Sequence, residues 1–282
     1  MNKVWPLILA VGVSISVWAG WEWIQAWHRP ASARSLDAGI VHETPSVLQT
    51  FKARANDKGS LHYLALGDSV ALGKGASRGY AAEVADRLKQ HQLPVQLDNQ
   101  GVSGQTSSQL WTALRNPEMK RKIRQADLIT ITIGGNDVLK VALQHSHPWE
   151  AISSFDDIRD GFVHHLDQIL TLIRQENPSA VVLVTSLYNP IPPEAFYFPL
   201  AEKLLDNWNT ALTQTVSTQP GCIVVQIDER LRPEHRDWLA DQVHPNTRGH
   251  RLIATAILNA IGLDDTGSQL ADAGGNGRST NR

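Results

Sequence analysis

The chain has 282 residues, enough for one large domain or two small ones. Hydrophobic residues make up 42% and charged residues 19%, the balance of a globular rather than a disordered protein. A formal net charge of −2, with no zinc-finger spacing and no Arg/Lys-rich segment, speaks against nucleic acid as a partner, and the single cysteine, Cys222, excludes an intrachain disulfide or a zinc site built on cysteine.

The N-terminus is made of different material from the rest. Lys3 precedes an apolar stretch, Val4 to Trp21, interrupted by small and hydroxyl residues. About 18 such residues reach across a bilayer, and Trp18, Trp21, Trp23 and Trp27 suit a membrane–water boundary. Residues 1–27 are therefore expected to be a membrane anchor or a signal segment, with Val17-Trp18-Ala19 and Ala31-Ser32-Ala33 as candidate cleavage sites. In both cases the bulk of the chain is expected to be extracytoplasmic, held at the membrane or secreted. Residues 28–60 are polar, carry Pro30, Gly39, Pro45 and Gly59, and read as a linker with one short helix around Val47–Ala55.

From Leu61 the pattern changes. Apolar, β-branched-rich runs recur as LHYLAL, PVQLDN, DLITITIGG, AVVLVTSL and CIVVQI. Helical patterns lie between them: GYAAEVADRLKQH, SSQLWTALRN, FDDIRDGFVHHLDQILTLIRQ and AEKLLDNWNTALTQTVS, with TRGHRLIATAILNAIG last. Strands apolar on both faces and alternating with helices predict a parallel sheet covered on both sides. The expected fold is a three-layer α/β/α sandwich around a five-stranded, flavodoxin-like parallel sheet. The segment 264–282, rich in Gly, Asp, Ser and Asn, is expected to be a disordered tail.

The strand ends carry the chemistry. The first delivers Gly67-Asp68-Ser69, the second a loop with Gly101, Ser103 and Gly104, and the third Gly134-Gly135-Asn136-Asp137. In open α/β sheets this edge is where ligands bind, and glycine there lets backbone N–H groups approach a ligand closely. Asp241 and His244, three residues apart before the last helix, can supply a base and the carboxylate that orients it. Asn246 or Thr247 can cap that helix. One literal match misleads: Gly75-Ala76-Ser77-Arg78-Gly79 fits the nucleophile-elbow pattern G-x-S-x-G, but no strand directly precedes it, so Ser77 is read as a loop residue.

These four blocks, in order from Gly67 to Pro245, resemble the SGNH, or GDSL, hydrolase family of esterases and acylhydrolases, and the whole is similar to its exported bacterial lipase-like members. The first block departs from the longer GDSL form in having Val70 where leucine often stands. The resemblance implies Ser69 as nucleophile, His244 as base and Asp241 as its orienter. It also implies an oxyanion hole of the Ser69 and Gly104 N–H groups and the Asn136 side chain, with Gly101 the competitor of Gly104. No metal or organic cofactor is implied. Residues 61–263 are then the hydrolase domain, expected to be monomeric and to cleave carboxylic esters of lipids, lysophospholipids or small acyl groups. The alternatives are a carbohydrate or cell-wall O-deacetylase with the same residues, and a membrane-tethered binding protein on an inactive hydrolase fold; every catalytic position being filled speaks against the second.

Other residues are given structural roles. Asp68 and Asp137 are expected to fix loops by hydrogen bonding, and Cys222 to be a small buried hydrophobe. His145 and His147 read as a solvated loop, and His164 and His165 as a partly exposed helical pair. Phe162, Leu166, Ile169 and Leu170 are expected to pack on the sheet. The segment 188–199, with Tyr188, Phe196 and Tyr197 among prolines, is open between an acyl pocket, a lid and ordinary loop packing.

Overall fold

A computed structural model describes residues 46–144 and 154–263. The N-terminal apolar segment, the His145–His147 pair and the C-terminal tail lie outside the described residues.

Five strands form the sheet: β1 Leu61–Gly67, β2 Val95–Gly101, β3 Leu128–Thr132, β4 Val181–Thr185 and β5 Cys222–Val225. All pair in parallel, in the order β2-β1-β3-β4-β5, which is the flavodoxin-like order. The apolar runs form strands because successive side chains point to opposite faces and both faces are covered. β1 shows this directly. Leu61, Tyr63 and Ala65 enter one buried cluster, and Leu64 and Leu66 enter the other.

The first cluster is covered by α1 (Val47–Lys58), α3 (Tyr80–Gln90) and α9 (Thr247–Ala260). The second is covered by α4 (Ser107–Leu114), α5 (Pro117–Gln125), α7 (Phe155–Glu176) and α8 (Phe198–Ser217). Two short helices, α2 (Ser69–Leu72) and α6 (Gly135–Gln144), follow β1 and β3 at the carboxyl edge. Phe162, Leu166, Ile169 and Leu170 of α7 are buried against the sheet as its pattern predicts. Cys222 is half-buried beside the same cluster, and burial raises its thiol pKa.

Helix α1 is longer than its sequence signal and does more than tether. A Ser46/Gln49 capping box starts it, and Gly59 at φ +78° ends it. Phe51 and Ala55 are buried in the first cluster. Lys58 Nζ lies 2.7 Å from the buried Asp127 carboxylate, which also accepts from the His62 N–H at 3.0 Å. Among the described residues no helix is long and apolar enough to cross a membrane.

Because β2 and β3 flank β1, the chain reverses its winding direction there. A crevice opens between the carboxyl ends of β1 and β3. The loops after β1, β2 and β3 all meet at this edge.

Candidate active site

Ser69 is the first residue of α2, directly after β1. Asp68 caps this one-turn helix, its Oδ1 accepting from the Val70 N–H at 2.9 Å. The β2 end holds the turn from below. Asn99 Nδ2 donates to the Ala71 carbonyl at 2.8 Å, and its Oδ1 accepts the Gly101 N–H at 2.9 Å. A Cβ on Gly101 would sit 2.2 Å from Leu72 N, so only glycine permits this approach. Ser69 is thereby fixed at the edge of the crevice and is 7% exposed.

His244 arrives from the loop before α9. Asp241 Oδ1 accepts the Val243 and His244 N–H groups at 2.9 and 2.8 Å, folding the loop so that its own carboxylate faces the imidazole. These two backbone N–H groups, more than the imidazole, push the Asp241 carboxyl down to about 2. It is therefore ionised at neutral pH, and its Oδ2 lies 2.8 Å from His244 Nδ1. An anion there places the ring proton on Nδ1 and leaves the Nε2 lone pair toward Ser69 Oγ, 3.1 Å away. Tyr188 clamps the loop through its hydroxyl, which donates to the Val243 carbonyl at 2.6 Å, and Asn246 caps α9 through the Arg248 and Gly249 N–H groups.

The three expected oxyanion donors line the same cavity as Ser69 and His244. Gly104 stands at φ +78° with open space around its Cα, and its N–H has no hydrogen-bond partner among the described residues. The Gly101 N–H is occupied by Asn99, which separates the two glycines by geometry. Asn136, in the first turn of α6, donates from Nδ2 to the Gln105 carbonyl at 3.0 Å and has Asp68 Oδ2 at 3.5 Å. This binds the third loop to the first two.

Asp68 and Asp137 fix loops, as expected. Asp137 accepts from the Ser107 hydroxyl at 2.6 Å and from the Ser107 N–H at 3.0 Å. The same hydroxyl lies 3.2 Å from His165 Nδ1. His165 is thus half-buried and engaged, whereas His164 beside it is exposed. Burial, with the nearby Asp137 carboxylate adding, pushes Asp68 up to about 7. Ser77 is an exposed loop residue with no strand before it.

One positioning residue is invisible in the sequence. His250, 1% exposed on α9, accepts the Tyr80 N–H on Nδ1 at 3.1 Å. Its Nε2 then carries the proton and faces the Lys74 carbonyl at 3.0 Å. Burial lowers its pKa, in keeping with this neutral form. The ring ties the helix behind His244 to the segment behind Ser69. Its place within an amphipathic helical pattern gave no signal of this.

Residues 65–252 match the model of the GDSL-like lipase/acylhydrolase family. The uncharacterized Bacillus subtilis protein YpmR is 28% identical over 209 residues, covering 70% of this chain and 80% of its own length. The spore germination lipase LipC of Bacillus licheniformis is 26% identical over 209 residues, covering 70% of this chain and 95% of its own. Among solved structures, the lipase Lip_vut3 from a goat rumen metagenome superposes with a TM-score of 0.65 at 26% identity, covering 73% of this chain and 99% of that one. With more than half of its length matched by the family model, the chain belongs to the GDSL-like lipase/acylhydrolase family of carboxylic ester hydrolases.

Proposed function

We propose that this hydrolase is a serine esterase in which Ser69 is the nucleophile, His244 the general base and Asp241 the group that orients it. One observation carries the reading: a continuous relay, with Ser69 Oγ 3.1 Å from His244 Nε2 and His244 Nδ1 2.8 Å from an ionised, half-exposed carboxylate. His244 takes the Oγ proton as Oγ bonds to the acyl carbon. The oxyanion that forms is met by the Ser69 and Gly104 N–H groups and by one Asn136 Nδ2 hydrogen, which gives up its 3.5 Å contact with Asp68 Oδ2 while the other stays on the Gln105 carbonyl. As the tetrahedral species collapses, the C–O bond to the alcohol breaks and His244 returns its proton to the leaving oxygen. Water then repeats the sequence on the acyl-enzyme, freeing acid and Ser69.

We propose further that the enzyme works outside the cytoplasm, at a membrane or secreted, as a monomer. The apolar run Val4–Trp21 with its following tryptophans supports this location. The test of the chemistry is hydrolysis of p-nitrophenyl acetate by the full chain purified in mild detergent. Ser69→Ala is expected to lose turnover, and Ser77→Ala to keep it. Full activity in Ser69→Ala sinks the assignment.

A further inference from the structure

The catalytic residues are a small part of the lining of their cavity. Its volume is about 910 Å³, near the top of the range for small-molecule sites. The same lining takes in an apolar arm built from the first turns of α6 and α7 and one face of α8. Val138, Phe155, Ile158, Leu187, Leu204 and Trp208 line this part. The spacing explains the convergence. Phe155 and Ile158 are three apart on α7, and Leu204 and Trp208 four apart on α8, so each pair shares a helix face.

Trp208 is 0% exposed and is fixed by stacking on Phe162, with ring centroids 4.4 Å apart, and by Phe155 at 6.1 Å. It forms a rigid wall. Ile158, Leu187 and Leu204, by contrast, are left only partly buried. Apolar side chains left uncovered inside a fold forgo burial that closer helix packing would have supplied. An apolar occupant entering from Ser69 restores it.

We infer that this arm holds the acyl chain of the substrate, and that the enzyme acts on esters of medium- or long-chain acids rather than on acetyl esters. The inference rests on the serine-esterase reading, since it is Ser69 that sets where the chain begins. An acetyl group ends at its methyl and leaves the arm empty. Each methylene of a longer chain moves out of water into the arm and raises kcat/KM by about fourfold until the arm is full. Leu204 and Ile158, on different helices, set the room available.

The test is a p-nitrophenyl series, acetate, butyrate, octanoate and laurate, with the full-length wild type, Leu204→Trp and Ile158→Trp. Wild type is expected to favour octanoate over acetate by at least a hundredfold in kcat/KM. Either tryptophan is expected to cut that ratio at least tenfold, with thermal unfolding reporting that the variant is folded. The wild-type series stands whether or not a variant folds. Preference for acetate, with turnover still dependent on Ser69, overturns the acyl arm and leaves the nucleophile in place. A ratio unmoved within twofold in both folded variants also overturns it. No turnover of any ester overturns both readings.

Discussion

Asp68, beside Ser69, makes the fold's stability depend on pH near neutrality. Its carboxyl is 5% exposed, and burial pushes it from 3.8 up to about 7. In the unfolded chain an aspartate titrates near 3.9. Between these values the native state holds a proton that the unfolded state has released, so stability falls as pH rises through this window. Below about 4 both states are protonated and Asp68 contributes no slope; above 7 the full cost is present. At about 1.4 kcal/mol per pH unit, the loss between pH 5 and pH 8 is roughly 3 kcal/mol. Asp68→Asn removes the titration and keeps an oxygen for the Val70 N–H, which now donates at 2.9 Å. Urea unfolding of both proteins at pH 5, 6, 7 and 8 isolates the effect, because groups not coupled to Asp68 cancel in the difference. The variant is expected to gain on wild type by roughly 3 kcal/mol across this range. A difference constant to within about 1 kcal/mol would refute the reasoning.

Three other substitutions probe the site. On the proposed mechanism Asn136→Ala removes one of three oxyanion donors and is expected to lower kcat roughly 10²–10³-fold with little change in KM; a loss confined to KM would contradict the role. Asp241→Asn removes the anion that fixes the His244 tautomer and is expected to cost roughly 10²–10⁴ in kcat. The lower part of that range is favoured because the carboxylate is half exposed and water partly replaces it; unchanged turnover at pH 8 would count against the relay. His250→Ala leaves the Tyr80 N–H and the Lys74 carbonyl without their partner. It should lower stability by roughly 1–3 kcal/mol in urea unfolding, and an undiminished midpoint would remove His250 from the scaffold.

The sheet and the chemistry-bearing strand ends were legible because both depend on local pattern. LHYLAL and DLITIT are largely apolar on both faces, and their alternation with helical patterns marks them as covered parallel strands. Ser69, Asn136 and the Asp241–His244 pair stood out because polar residues beside glycine, or an acid near a histidine, mark strand ends and loops. Helix α6 was hidden because Gly134-Gly135-Asn136-Asp137 reads as a turn, and its helical residues begin inside that turn. Helix α5 carried an unused signal, Asn116 as cap with Pro117 in the first turn. The Ser107–Asp137–His165 contacts and the His250 bridge join residues from different elements, and no spacing rule reaches across them. The acyl arm is hidden for the same reason. Phe155 and Leu204 read as ordinary amphipathic positions until three helices are set around one volume.

Covalent labelling tests the proposed role of Ser69 as nucleophile without recourse to any substrate. The full chain is treated with a fluorophosphonate; an activated serine oxygen bonds to phosphorus and fluoride leaves. Peptide mass mapping then locates the adduct. One adduct is expected, on Ser69, absent in Ser69→Ala, retained in Ser77→Ala, and formed in step with loss of esterase activity. An adduct on Ser77, or an enzyme that loses activity while Ser69 stays unmodified, would contradict it.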